Sequence, residues 1–83
     1  MSDSFELARK MFQGRCVICL RSPASVHHIV PRSLAPDLVE DLDNLVLLCE
    51  KHHEQVHSTG TRRSADSLRS ARERALRVLP LFD

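Results

Sequence analysis

The feature that most constrains the fold of this chain is a pair of short motifs that each bring metal-binding side chains close together. A CxxC motif is followed much later by a CxxH motif, and the four residues are Cys16, Cys19, Cys49 and His52. Thiolate and imidazole groups suit a tetrahedral Zn²⁺ with bonds of about 2.0 to 2.3 Å. Metal binding of this type is itself folding free energy in small domains. The motifs therefore predict a closed structural zinc site that clips two distant segments together.

The length of the chain gives a reason for such a clip. Its 83 residues have room for a single domain over 1–83, whose core supplies little stability without a covalent or metal staple. Three cysteines cannot pair completely, and in a reducing compartment a close CxxC pair is more often a metal ligand pair than a disulfide. We therefore expect zinc to be the staple.

The hydrophobic pattern predicts neither a membrane segment nor a secretory one. No run approaches the ~18 apolar residues that a membrane span needs, and the start MSDSFELARK lacks the apolar region of a signal peptide. We expect a soluble, cytoplasmic protein.

The charge is segregated along the chain although the net charge is only +1. The two ends are basic and the middle is acidic. This distribution permits a one-sided phosphate-binding face, and a solvated arginine-rich helix explains the basic tail equally well.

Hydrophobic periodicity predicts three helices and two strands. The predicted elements are a helix over 3–12, a strand over 24–29, a strand over 45–48, a helix through EKHHEQVH to 57, and an amphipathic helix over about 64–79. Between the strands, residues 32–43 are charged and weakly periodic, so we expect a loop with one helical turn around Leu38. The chain has no internal repeat from which a second domain could be built.

Apolar stripes and end signals define the outer helices further. Asp3 and Glu6 have the spacing of a capping box, and Ser64 is placed to cap the last helix. The residues expected to end helices are Gly14, Ser58 with Gly60, and Pro80. The stripes are Phe5, Leu7, Ala8, Met11 and Phe12 in the first helix, and Leu68, Ala71, Ala75, Leu76 and Leu79 in the last.

A second group of metal-binding side chains is expected on the helix that follows the second strand. His53 and His57 are four positions apart, so on a helix they lie on one face and can share an ion. His52 cannot join them, because one residue turns a helix by about 100°. His52 then faces Cys49 and the structural zinc, and two metals are implied.

His27 and His28 lie next to each other at the end of the first predicted strand. Adjacent side chains of a strand point to opposite faces, so the two are not expected to bind the same ion. One can complete a three-histidine site that leaves positions open to phosphate or water, and the other can act as a base near neutral pH.

The segments CVIC, VHHIVPRS and LDNLVLLCEKHHEQVH resemble the HNH endonuclease family over residues 16–57. His28, Asn44 and His53 stand at the three positions that give the family its name. The resemblance implies a small α+β fold with a ββα-metal (His-Me finger) core and a zinc knuckle, here flanked by an N-terminal and a C-terminal helix. Many zinc-clipped relatives have a fourth cysteine where this chain has His52, and histidine is also a zinc ligand.

The resemblance also implies a role for each candidate residue. His27, His53 and His57 would hold the catalytic metal, His28 would activate water as a general base, and Asn44 would fix the loop that orients His28. Arg32, just past the histidines, is our candidate for a phosphate clamp, because arginine forks match phosphate oxygens. An exposed loop arginine is the alternative interpretation.

These roles together predict a metal-dependent endonuclease that nicks or cuts DNA, expected to be double-stranded. The ligand type favours Zn²⁺, Ni²⁺, Mn²⁺ or Co²⁺ as the catalytic ion. Mg²⁺ is a further candidate, because members of the family that the chain resembles work with several divalent ions. The alternative is a non-catalytic zinc-stabilised nucleic-acid-binding module, or an accessory module that acts with a larger protein partner, as in phage DNA packaging.

Overall fold

The computed structural model describes residues 3–30, 33–57 and 65–82, without the side chains of His57 and Phe82. Three α-helices and two β-strands lie within these residues. They are α1 (Asp3–Met11), β1 (Ser25–His28), β2 (Leu45–Leu48), α2 (Glu50–His57) and α3 (Ala65–Val78). Three short 3₁₀ turns cover Pro36–Leu38, Leu42–Asn44 and Leu79–Phe82. The predicted α+β architecture, with a strand pair followed by a helix, is confirmed.

The two strands form an antiparallel hairpin with a long connection. Ser25 pairs with Leu48 and His28 pairs with Leu45. Every residue of β2 is buried, whereas β1 is half-buried or exposed. Along an antiparallel strand, the residues that bond the partner strand alternate with residues whose N–H and carbonyl groups point away from it. The backbone N–H of Ile29 donates to the Asn44 carbonyl over 2.8 Å. The carbonyls of Leu45 and Leu47 therefore point away from β1.

Both outward carbonyls of β2 find partners in other parts of the chain. The Leu47 carbonyl accepts a 2.9 Å hydrogen bond from the backbone N–H of Val17. The Leu45 carbonyl accepts from Nε of Arg72 on α3 over 3.2 Å. The buried edge of the hairpin is therefore closed by the N-terminal knuckle and by the last helix.

The hydrophobic core lies between β2, α1 and α3. Ala8 of α1 and Phe12, directly after it, are fully buried. The predicted apolar stripe of the last helix is also buried: Leu68, Ala71 and Ala75 lie on α3, Leu79 begins the turn that follows, and Leu76 packs against them. Leu7 is 50% exposed, so its predicted place in the α1 stripe was wrong. It lies about 100° from Ala8 around the helix and so faces solvent.

The helix ends differ in detail from the sequence expectation. Beyond Met11, Gln13 and Gly14 both have positive φ (56° and 67°), and their N–H groups bond the Lys10 and Arg9 carbonyls in a Schellman arrangement. Asp3 is already helical, and the Glu6 carboxylate accepts from Arg9 rather than closing a capping box.

At the other end of the chain, the α-helix stops at Val78 and continues as a 3₁₀ turn through Pro80, because proline lacks the N–H that the next α-helical bond needs. The end signals Ser58 and Gly60 and the cap Ser64 lie outside the described residues. None of the described helices has the length and apolar character needed to cross a membrane.

In the described part of the connection between the strands, residues 29–30 and 33–44, there are two helical turns where the sequence predicted one. The turn around Leu38 is present as Pro36–Leu38. The second, Leu42–Asn44, begins at Asp41, whose carboxylate accepts a 3.0 Å hydrogen bond from the N–H of Asp43. An aspartate that caps a turn in this way is a sequence signal for the turn. It was not recognised in the sequence because the loop contains many other charged residues.

Candidate metal centre and active site

The two knuckles predicted to bind zinc come together beside the start of α2. One ligand atom from each of Cys16, Cys19, Cys49 and His52 lies within 4.8 Å of the others. The Cys19 and Cys49 sulfurs are 3.8 Å apart, and Nδ1 of His52 lies 3.5 Å from the Cys16 sulfur and 3.2 Å from the Cys49 sulfur.

These distances are close to the edges of a zinc tetrahedron. Zinc bond lengths place two thiolates about 3.8 Å apart and a thiolate and an imidazole nitrogen about 3.6 Å apart around one ion. The donor set and its spacing therefore fit a structural Zn²⁺ of the Cys₃His type, as the motifs predicted.

The backbone of the N-terminal knuckle is folded to present its sulfurs. Leu20 has a φ of 63°, and its N–H donates to the Cys16 carbonyl over 2.8 Å. The Ile18 N–H points at the Cys16 sulfur over 3.4 Å. Such an N–H group stabilises negative charge on the Cys16 sulfur, and so partly opposes the effect of burial, which favours the neutral thiol.

The cysteine pKa values differ because their surroundings differ. Burial raises the pKa of the Cys16 thiol above its ordinary value, although hydrogen bonds from nearby backbone groups oppose this. Burial acts the same way on Cys49, but there the backbone N–H groups of His52 and Lys51 and the neighbouring thiols outweigh it, and its pKa is lowered. Cysteine binds zinc as the thiolate, so loading the site releases protons.

His53, next to His52 on α2, contacts a different partner. Its ring lies 5.3 Å from the His27 ring, centroid to centroid, and the two rings are nearly perpendicular at 89°. An open groove of about 300 Å³ lined by Ser25, Pro23 and Glu50 runs beside His53. The structure therefore brings His27 and His53 together, apart from the ligands of the zinc site.

His28 points to the other side of β1, as strand alternation predicted. Its ring lies edge to face with Phe5 of α1, with centroids 5.6 Å apart. Its Nε2 is 2.9 Å from the Val39 carbonyl oxygen. Because a carbonyl only accepts, this contact requires the proton on Nε2 and leaves Nδ1 as the basic nitrogen.

Asn44 is a buried polar residue, only 5% exposed, at the end of the strand connection directly before β2. Its Oδ1 accepts from the Val30 N–H over 2.9 Å. Its Nδ2 donates to the Val30 and Leu38 carbonyls, each over 3.2 Å. The side chain thereby joins the segment after His28 to Leu38, the neighbour of Val39, whose carbonyl contacts His28.

Two candidate residues have no described side chain. Arg32 lies outside the described residues, and of His57 only the backbone is described, at the end of α2. The proposed third histidine ligand and the proposed phosphate clamp therefore stay predictions.

Arg72 was not among the residues predicted from the sequence to lie near the candidate site. This arginine occurs within the apolar stripe of α3, four positions after Leu68 and four before Leu76, and a charged residue on a buried face needs a partner there. That position was the available signal, and its partners are the carbonyls beside Asn44.

Comparison with protein families gives one match. A family model described as HNH endonuclease matches residues 16–59, more than half of the 83 residues. No curated protein and no solved structure matched the chain. The matched stretch contains both knuckles, the strand pair and the whole of α2.

Proposed function

This chain belongs to the HNH endonuclease family, and we propose that it is a metal-dependent endonuclease that hydrolyses DNA phosphodiester bonds. The observation that carries the proposal is the division of two adjacent histidines between opposite faces of β1. His28 is hydrogen-bonded to Val39 on one side, and His27 lies against His53 on the other. This arrangement supports a proposed base, His28, and a proposed metal ligand, His27, on one short strand, with a second proposed ligand, His53, on α2.

In the proposed reaction, His28 takes a proton from the attacking water through Nδ1. The Val39 carbonyl holds the proton on Nε2 and fixes the direction of the ring, and Phe5 packs against its edge. General base catalysis by a positioned histidine typically contributes about 10²- to 10⁴-fold in rate. Asn44 holds both segments around the base, so its proposed role is to position His28.

His27, His53 and His57 are the proposed ligands of the catalytic metal. Two imidazoles on one tetrahedral ion, with metal–nitrogen bonds of about 2.0 to 2.1 Å, have ring centres about 5 Å apart, and the observed 5.3 Å between His27 and His53 fits this. Edge-to-face rings without an ion have the same spacing, so metal binding itself has to be measured. The bound ion would supply Lewis-acid stabilisation of the phosphate charge and the leaving oxygen.

The substrate in this proposal is double-stranded DNA, with nicking and double-strand cleavage both open. Arg32 is proposed to bind a phosphate near the scissile bond. Neutral imidazole ligands favour Zn²⁺, Ni²⁺, Co²⁺ or Mn²⁺ over Mg²⁺.

Plasmid cleavage by the wild type and by His28→Ala across a panel of divalent metals tests the proposal. We expect the wild type to cleave with at least one metal and His28→Ala to lose most of that rate. Ser25→Ala is the matched control, because Ser25 is an exposed residue of the same strand, and it should keep the wild-type rate.

The same experiment separates the proposal from its alternative. Equal cleavage by the wild type and His28→Ala would reject His28 as the base. DNA binding without cleavage in every metal would identify a non-catalytic nucleic-acid-binding module instead.

A further inference from the structure

Arg72 of α3 is an arginine held almost entirely inside the protein, with its side chain 11% exposed. Its guanidinium lies 5.7 Å from the centre of the Phe12 ring. Nε donates to the Leu45 carbonyl over 3.2 Å, and Nη2 donates to the Leu42 carbonyl over 3.1 Å. The planar fork of arginine can span two carbonyls in this way, which a lysine ammonium cannot do with the same geometry.

The two carbonyls lie on either side of Asn44. Leu42 begins the 3₁₀ turn that ends at Asn44, and Leu45 begins β2. Arg72 also lies 3.6 Å from the Asp43 carboxylate, but that side chain is 90% exposed, so solvent screens the pair. The well-formed contacts of Arg72 are therefore those with the backbone around Asn44.

Asn44 is in turn the residue that holds the surroundings of His28. Its side chain bonds the backbone of Val30, two positions after His28, and the carbonyl of Leu38, next to Val39. Arg72 is thus hydrogen-bonded to the Leu42–Leu45 backbone, and Asn44, within that backbone segment, is hydrogen-bonded to the segments on either side of His28 and Val39.

We propose that Arg72 is a positioning residue for His28, acting through Asn44, so that α3 belongs to the catalytic architecture although it lies outside residues 16–59. This inference rests on the proposed nuclease function. Without the two hydrogen bonds from the Arg72 guanidinium, the Leu42–Leu45 segment is no longer held at a fixed distance from α3. The Asn44 side chain then no longer holds Val30 and Leu38 in one arrangement.

The kinetic test compares Arg72→Met with Arg74→Met. Methionine keeps much of the apolar stem of Arg72 and removes both donors. Arg74 is an exposed arginine of the same helix, so its substitution is matched in charge and residue type. We expect Arg72→Met to lower kcat for plasmid cleavage about 10- to 100-fold with KM little changed, because a buried arginine does not touch DNA. Arg74→Met should keep kcat.

Amide hydrogen exchange provides a readout that does not depend on cleavage. In Arg72→Met we expect exchange of the Val30 N–H and the Asn44 side-chain amide to accelerate on the order of tenfold or more. The Val17 N–H, bonded to the Leu47 carbonyl on another part of β2, should keep its wild-type rate. Arg74→Met should change none of the three.

The outcomes are distinct. The inference would be overturned if Arg72→Met changed neither kcat nor the exchange rates. It would also be overturned if exchange at the Val17 N–H accelerated as much as at Val30 and Asn44, because that indicates a general loss of stability. If the wild type cleaves no DNA, the proposed function fails, and local exchange still decides whether Arg72 holds Asn44. If Arg72→Met does not fold, Arg72→Lys is compared in the same way. Lysine keeps the charge but carries its donors on a single nitrogen, so it should show an intermediate acceleration.

Discussion

At the scale of single residues, Asn44 has the most demanding environment in the described chain. It is buried, and three backbone groups, the Val30 N–H and the Val30 and Leu38 carbonyls, depend on its side chain. The side-chain amide is suited to this position because it offers both a donor and an acceptor in one plane. The proposed positioning of His28 would add a functional role to this structural one.

Asn44→Asp is expected to destabilise the fold by about 1 to 3 kcal/mol, because a carboxylate cannot donate to the two carbonyls and leaves them buried without that partner. Urea unfolding followed by far-UV circular dichroism measures the change. Asp37→Asn is the control, the reverse change at an exposed position of the same connection, and should alter stability by less than about 0.5 kcal/mol. Equal stability of Asn44→Asp and the wild type would contradict the role given to these hydrogen bonds.

His52→Ala and His52→Cys form a second test at this scale. Nδ1 of His52 lies close enough to the Cys16 and Cys49 sulfurs, at 3.5 and 3.2 Å, to share one ion with them, so removal of the imidazole should weaken zinc binding. Cysteine supplies a sulfur ligand of the type zinc accepts and should retain the ion. Zinc content after mild chelation distinguishes the two variants, and full retention by His52→Ala would exclude His52 as a ligand.

At the scale of elements, periodicity predicted which segments are helices and strands but not how they are joined. The Leu45–Leu48 run and the stripe of α3 were readable because each repeats at the period of its own element. Arg72 bonds carbonyls 27 and 30 positions away, and local pattern carries no information on partners at that distance. The ligand residues were readable because zinc restricts both residue type and spacing.

Leu68→Ala tests whether α3 is held by its apolar stripe. Leu68 is 1% exposed, and truncation of such a leucine typically costs about 2 to 5 kcal/mol. Leu81→Ala removes the same atoms from a side chain that is 81% exposed and should cost almost nothing. The midpoints of urea unfolding give the comparison, and similar midpoints would mean that α3 does not depend on the core.

At the scale of the whole molecule, the described parts meet in one hydrophobic core and in one cluster of Cys and His side chains that fits a zinc ion. Buried residues of α1, β2 and α3 belong to the same cluster, whereas α2 is attached through Val56 and, at its start, through the candidate zinc ligands Cys49 and His52. That the full chain is one domain stays a prediction. If the cluster binds zinc as expected, the share of stability that comes from the core will decide how the protein responds to loss of the ion.

Complete removal of zinc with a strong chelator should abolish most of the helical signal in far-UV circular dichroism, and added Zn²⁺ should restore it. Mild chelation should remove the proposed catalytic ion first, so that DNA cleavage is lost while the fold remains. Metal analysis of each sample provides the control. A protein free of zinc that keeps its full helical signal would show that the core alone is sufficient.

The separation of the paired segments along the chain has a consequence for the order of folding. Cys19 must meet Cys49, 30 positions away, and β1 must meet β2 across a long connection. Both steps lose the conformational entropy of loop closure before new contacts offset that loss. The CxxC knuckle is local and can capture zinc in the unfolded chain. A preloaded knuckle then needs only one encounter with Cys49 and His52 to bring the strands into register, so the supply of zinc is expected to set the folding rate as well as the final stability.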